Sequence, residues 1–457
     1  MRRLVPYILV FLAGLLVGSC HGANPASELQ AAVNDLRANV PRERWRTTRY
    51  LTLYNIPEKE RESGTGLLGY VVNSVARGSV LRGIRTVHTA GGKEALATID
   101  LAELQIPAAA WESLVSDAEP YFHITTRAID PTTGKVQKVY TDAGHVGLES
   151  AKQLRDMTGS GGAIVRADWF VFRAMATPHY YNLAGVPDTT DGWYKSLGID
   201  PKVIVELRAN RGANIFRSGV TQKPRRLSRW TGPLGASWQT YDSRDDGDVA
   251  KDPLRNPTFG GSFDASEHIA VKPNGLHLFG LYDGAGKRVD SVPDDVAKDD
   301  SDASGDGRLV AAASCIRCHT ESGLRPFAND LKSLTESGVD IALPAKEVEA
   351  LAAFNRDLTK QLDRDRDDYD EAVKQATGGK LTAKELPAAF GKVIRDYAYE
   401  QVSQGQALRE LGAETLAPLL ASSDPYILAL ATGHQINRTQ YDQSFAEMAT
   451  LIHGSRR

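Results

Sequence analysis

The sequence predicts a multidomain α+β chain: a mixed α+β N-terminal region, a β-rich middle, a short cysteine-bearing segment and an all-helical C-terminal region. Three observations carry this expectation. From residue 45 to residue 200 the hydrophobic pattern alternates between helical and strand periods. From 201 to 290, short strand-like runs are punctuated by Gly, Pro, Asn and Asp. Beyond residue 345 the helical period dominates. A chain of 457 residues has room for roughly two to four domains, each with its own core. With 42% hydrophobic and 24% charged residues it has the composition of folded protein, and a net charge of -3 argues against nucleic acid as a partner.

The first element is a leader. "MRRLVPYILVFLAGLLVGSC" sets Arg2 and Arg3 before an apolar run and ends in small residues, the layout of an export signal over residues 1–20. The run is short for a membrane span. Val17-Gly18-Ser19-Cys20 looks like the site at which bacterial lipoproteins are cleaved and lipidated, so Cys20 is the candidate lipidation site; the competing reading is an ordinary signal with a chance cysteine. His21 after it points to an outer-membrane address on the periplasmic side of the envelope. Residues 21–44, with "ASELQAAVNDLRANV", read as a spacer or first helix.

In the 45–200 region "GLLGYVVNSVARG" predicts a helix, "EALATIDLAEL" a strand, and "PAAAWESLVSDAE" a helix opened by proline. "RADWFVFRAMATPHYYNLAG" predicts one longer helix closed by Gly185. In the 201–290 region "RRLSRW" and "ASWQTYDS" predict strands. The basic "KPRRLSRW" fits a solvated strand face, or a dock for an acidic partner. "HIAVKPNGLHLFGLYDGAGKRVD" predicts a hairpin turning on Asn274-Gly275. That register puts Ile269, Val271, Leu276 and Leu278 on a core face and His268, Ala270, His277 and Phe279 on the other.

Residues 291–344 begin with an acidic linker. Asp300, Asp302, Ser304 and Asp306 around Gly305 place oxygen donors at alternate positions, as in a calcium loop, but Ala311 stands where the bidentate glutamate belongs, so a solvated loop is the plainer reading of Asp300–Asp306. The last region, 345–457, predicts a helical domain whose first member, "AKEVEALAAFNRDLTKQLDRDRDDYDEAVKQATGG", is one long helix stopped by two glycines.

The chemistry concentrates in "SCIRCH". Cys-x-x-Cys-His is the attachment sequence of c-type haem. Two cysteines three apart on a helix share a face, so both sulfurs can reach one edge of a porphyrin while the next imidazole reaches the iron. Cys315 and Cys318 are therefore the candidate thioether residues and His319 the proximal ligand of one covalent haem c. A thioredoxin-like redox pair would follow a buried strand, whereas "RLVAAASCIRCH" supplies Ala and Ser. Zinc would want a second cysteine pair, which the chain lacks. The sixth iron position is open to His268, His277 and Met175, with Met157 and Met448 behind them; His88, His123, His145, His434 and His453 sit in loop or element-edge contexts.

The order of "RYLTLYNIP", "ATIDLAELQIPAAAWESLV", "RADWFVFRAMATPHYYNL", "FRSGVTQKPRRLSRW", "ASWQTYDS", "KPNGLHLFGLYDGAGKRVD" and "SCIRCHTESGL" resembles a family of large, exported, single-haem c-type cytochromes of planctomycetes and other environmental bacteria, a family without an assigned reaction. The resemblance spans nearly the whole mature chain and implies haem attachment at Cys315, Cys318 and His319. This chain departs from it in the turn "TESGLRPF" and in a longer acidic insert. The expected function is a lipid-anchored carrier of single electrons between redox partner proteins of the cell envelope rather than an enzyme. The alternatives are a haem-based gas sensor and a haem oxidoreductase.

Overall fold

The fold rests on two sheets, each buried on both sides. The computed structural model describes residues 25–89, 94–116, 124–129, 136–141, 149–207, 212–215, 225–243, 263–292, 309–319, 322–327 and 358–453. Together these residues form a mixed α and β structure. The expected leader with Cys20, His123, His145 and the Asp300–Asp306 loop lie outside the described residues.

Of the two readings of residues 21–44, a spacer or a first helix, the helix is observed, as α1 (Pro25–Asn39). Leu29, Ala32, Val33 and Leu36 recur at helical spacing and are all but fully buried. Asp35 on α1 accepts bonds from Tyr50 Oη (2.8 Å) and from both Nη atoms of Arg85 (2.6 and 2.8 Å). These contacts fix the helix to the first sheet, made of β1 (Thr48–Thr52), β2 (Arg85–His88), β3 (Glu94–Asp100) and β6 (Ile164–Arg166) in the order β2-β3-β1-β6. Strand β1 runs antiparallel to β3 and parallel to β6. Side chains alternate across such strands, so Leu51, Ala97 and Val165 enter a large hydrophobic core while Tyr50, Leu96 and Ile164 enter a second, smaller one.

A separate hairpin, β4 (Ile124–Ile129) with β5 (Val136–Thr141), lies in sequence between α3 (Ala108–Ser116) and α4 (Glu149–Thr158). Helix α2 (Arg61–Val75) packs on the C-terminal helices α10 (Thr359–Ala376) and α11 (Leu386–Ala398). The approach is close: a Cβ on Gly69 would stand 2.4 Å from the Ala376 carbonyl oxygen, so only glycine fits there.

The helix expected over 166–185 is two. Arg166 belongs to β6, α5 covers Ala167–Ala174 and α6 covers His179–Ala184. Pro178 lacks an N–H and disfavours helical dihedrals at Thr177, which separates them. Gly185 does close α6, in the left-handed region at φ 73°. Of the long helix expected from residue 345, residues 345–357 lie outside the described residues; Leu358 leaves helical dihedrals, a helix runs from Thr359, and the double-glycine stop is present, with Gly378 and Gly379 at φ 64° and 76°. The remaining C-terminal helices are α12 (Gln404–Glu410), α13 (Pro425–Ala431) and α14 (Arg438–His453). The region is not wholly helical, since β12 (Gln401–Val402) pairs with β13 (Ile436–Asn437).

The 201–290 region opens with a helix, α8 (Pro201–Leu207), which follows α7 (Thr190–Ser196). It then forms an antiparallel five-stranded meander of β7 (Gly212–Ile215), β8 (Arg225–Gly232), β9 (Gly235–Tyr241), β10 (Ala265–Val271) and β11 (His277–Asp283). Two sequence expectations fail here. The basic strand is not solvated: Arg225 pairs with Asp242 and Glu267, Arg229 makes paired 2.8 Å bonds to Asp365 of α10, and Arg226 is fully buried. The β10–β11 turn is longer than Asn274-Gly275, closed by the Lys272 N–H to the Leu276 carbonyl (3.0 Å), so Val271 faces His277. That slip of one residue moves side chains between faces. His277, Phe279, Ile269 and Trp238 share one face, and His268, Ala270, Leu278 and Tyr282 the other.

The two cores are sewn together by buried charge. Arg166 binds Asp168 (2.6 Å), Glu400 (3.3 Å) and Glu410 (3.5 Å); Arg438 makes two 2.8 Å bonds to Glu410 and reaches Glu400 and Asp442. No helix among the described residues is long and apolar enough to cross a membrane. Removing one partner from such a network strands the rest as uncompensated buried charge. Glu410→Ala is expected to lose about 3–5 kcal/mol of unfolding free energy, measured from urea midpoints; a loss under about 1 kcal/mol would mean solvent already screens the site.

Candidate haem-attachment site

The motif sits on a short helix, α9 (Ala313–Cys318), which the chain enters by a sharp reversal. Ala312 takes φ 64° and ψ −63°, an unfavourable conformation for a residue with a Cβ. Local bonds hold it: the Ala313 N–H donates to the Ala311 carbonyl (2.9 Å) and the Val310 N–H to Ser314 Oγ (3.1 Å). Ile316 drives the helix into the large core at 3% exposure, and α9 packs on α11. The His319 N–H closes the last turn on the Cys315 carbonyl (2.8 Å).

This arrangement gives the two sulfurs the same helix, as the spacing predicts, and neither forms a disulfide. Cys315 packs at the edge of the core, close enough to the phenols of Tyr70, Tyr180 and Tyr181 to affect their ionisation; burial, the larger cause, already pushes all three up. Cys318 accepts a 3.8 Å contact from Arg325 Nη1. Among the described residues no group of three or more His, Cys, Asp or Glu is arranged to hold a metal ion.

His319 keeps some exposure, but its Nδ1 is buried and has no hydrogen-bond partner. Desolvation, reinforced by Arg325 and Arg225, brings its pKa down to about 4. His277 faces the same site: it is 1% exposed and close enough to His319 to feel its charge. Burial is the main reason its pKa falls to about 3. The ring stacks on Tyr369 of α10 at 4.3 Å and meets Phe279 edge-on at 6.2 Å. The segment after the motif folds over it. Gly323, at φ 71°, would push a Cβ to 2.6 Å from His277 Cε1, Ser322 bonds Asp370 (2.9 Å), and Phe327 lies against Trp238 (6.2 Å between centroids). The Gly323 backbone influences His277 electrostatically, yet neither ring nitrogen has a hydrogen bond of normal geometry.

The other sixth-position candidates lie elsewhere. His268 is equally buried but on the opposite sheet face, bonded through Nε2 to Ser266 Oγ (3.0 Å) and ringed by Trp193, Tyr194 and Tyr282. Neither histidine meets solvent, although the register read from the sequence set both on the face away from the core. Met175 ends α5 in the large core, whereas Met157 and Met448 belong to the second. His179 starts α6 and is buried; His88 and His434 are exposed. Sequence reasoning missed Tyr70, Tyr369, Gly323 and Arg325. Only the glycine just after the motif carried a local signal. A hollow of about 340 Å³ bordered by Arg44, Arg82, Arg85 and Glu103 lies on the first sheet and includes none of these residues.

Comparison with known protein families, with functionally described proteins and with solved structures finds no match to the chain.

Burial also sets an acid response. Desolvation holds the pKa of His268 near 3 against an ordinary 6.5, so below about 6.5 the unfolded chain binds more protons than the folded one. Its contribution to stability is therefore complete above about 6.5 and is lost as pH falls through about 3. Urea midpoints across this window are expected to drop with acidification, less steeply in His268→Phe. An equal slope in both proteins would contradict the assignment.

Proposed function

We propose that the chain is a monohaem c-type cytochrome that carries single electrons in the cell envelope, held there by lipid on Cys20. One observation carries the haem reading: Cys315 and Cys318 share a helix whose next residue, His319, keeps a buried Nδ1 without a partner. A buried donor or acceptor left unmade costs about 1–3 kcal/mol, so such a ring is better explained by a group that engages it. Cys315 and Cys318 would hold the porphyrin by thioethers and His319 would bind its iron; the haem supplies the one-electron chemistry. The protein supplies burial among Tyr70, Tyr180 and Ile316, and the positive Arg325 beside Cys318. The electron-transfer partners follow from the motif and the lipid anchor from the leader.

Acid-acetone extraction of the purified protein is expected to leave haem with the polypeptide and to add one haem to its mass. The double variant Cys315→Ser/Cys318→Ser should lose that mass. Haem that leaves entirely with the solvent would refute covalent attachment. For the anchor, the wild type should enter the detergent phase of a Triton X-114 separation and Cys20→Ser should stay in the aqueous phase; identical partitioning would remove the anchor from the proposal.

A further inference from the structure

We propose that His277 is the sixth ligand of the iron, opposite His319, so that the site is closed by two imidazoles. The inference rests on the haem reading above and adds a residue to it. Among the histidines considered for this position, His277 combines three properties.

It lies on the sheet face against which the segment after the motif packs, with Gly323 at its ring and Phe327 on Trp238, whereas His268 lies on the far face. Neither of its buried ring nitrogens has a hydrogen bond of normal geometry, although the Gly323 backbone approaches the ring, while His268 already engages Ser266 through Nε2. An imidazole whose two nitrogens are both sealed from water bears a double desolvation cost. An iron bond to one of them would offset it.

Its orientation is also fixed before any ligand arrives. Tyr369 stacks on the ring and is itself held by a 2.9 Å bond to Tyr70 Oη. Lys272, at the start of the hairpin turn, places its ammonium among the Asn73, Ser74 and Ala76 carbonyls (3.1–3.4 Å) at the end of α2. The turn that delivers His277 is thus anchored at its root. Gly323 leaves room where any Cβ would collide with the ring. Such rigid support is what an axial ligand needs, because it fixes the ring in one orientation. Tyr369 is a positioning residue in this account.

The test uses holoprotein and reads coordination, not activity. The wild type should retain covalent haem, be low-spin in both oxidation states, lack the far-red methionine-to-iron charge-transfer band, and bind carbon monoxide slowly when reduced. His277→Ala should keep its covalent haem but lose the low-spin spectrum and take up carbon monoxide at once; added imidazole should restore the low-spin form, which a merely structural role would not allow. His268→Ala should remain low-spin. A His277→Ala protein with the wild-type spectrum overturns the assignment while leaving the haem reading intact, whereas a wild type without covalent haem sinks that reading first. Should His277→Ala fail to accumulate, wild-type electron paramagnetic resonance decides: a bis-imidazole signature supports His277, and a methionine-ligated or five-coordinate iron refutes it.

Discussion

The four-sided contact among Arg166, Arg438, Glu400 and Glu410 is the constraint on which most of the structure hangs. Arg166 ends β6, in the sheet that divides the two cores, and Arg438, Glu400 and Glu410 come from the C-terminal quarter of the chain. Its guanidinium lies over the Tyr397 ring (5.4 Å), and Tyr397, at the end of α11, bonds Asp442 and packs on Phe172 of α5. Helix α11 in turn supports α9. A line of direct contacts thus runs from the buried charges to the helix that bears both cysteines. The attractions inside such a network are largely consumed by desolvation, so its value lies in fixing which surfaces meet.

The five-stranded sheet extends the same logic. With α7 on one face and α10 on the other, polar groups on either face need partners inside the protein. Asp365 serves two of them, accepting from Trp238 Nε1 (2.7 Å) and from Arg229; Ser237 and Gln239 serve Trp193 and Tyr194 on the reverse side. The two histidines of the β10–β11 hairpin sit on opposite sides of this slab. Similar burial gives them similar acid shifts but different surroundings.

Much of this was legible in the sequence, but only where the signal was local. The helix under Cys315 and Cys318, the strands at "RRLSRW" and "ASWQTYDS", the proline-led α3 and the glycine stops at Gly185 and Gly378 all follow from short-range rules. The hairpin was found but misregistered: Asn274-Gly275 has the form of a two-residue turn, yet Lys272 and Leu276 close a wider one, and the error sorted both histidines onto the wrong pairing of faces. The arginines of β8 were misjudged because their acids are distant in sequence. Tyr369 was unreadable for a related reason. It lies in a strongly charged helix whose buried stripe becomes evident only when α2 and the hairpin are laid against it.

The second core has a consequence for how the chain is made. Leu29 and Leu36 of α1, among the first residues described, share it with Tyr441, Phe445 and Met448 of α14, among the last. Contacts of such separation form late, because the intervening loop must close before they repay its entropy. During synthesis the apolar face of α1 can be covered by the first sheet and α4, but the share of this core that α14 supplies is absent until that helix has emerged. This half can therefore begin to form on its N-terminal elements, and its core closes only when α14 docks.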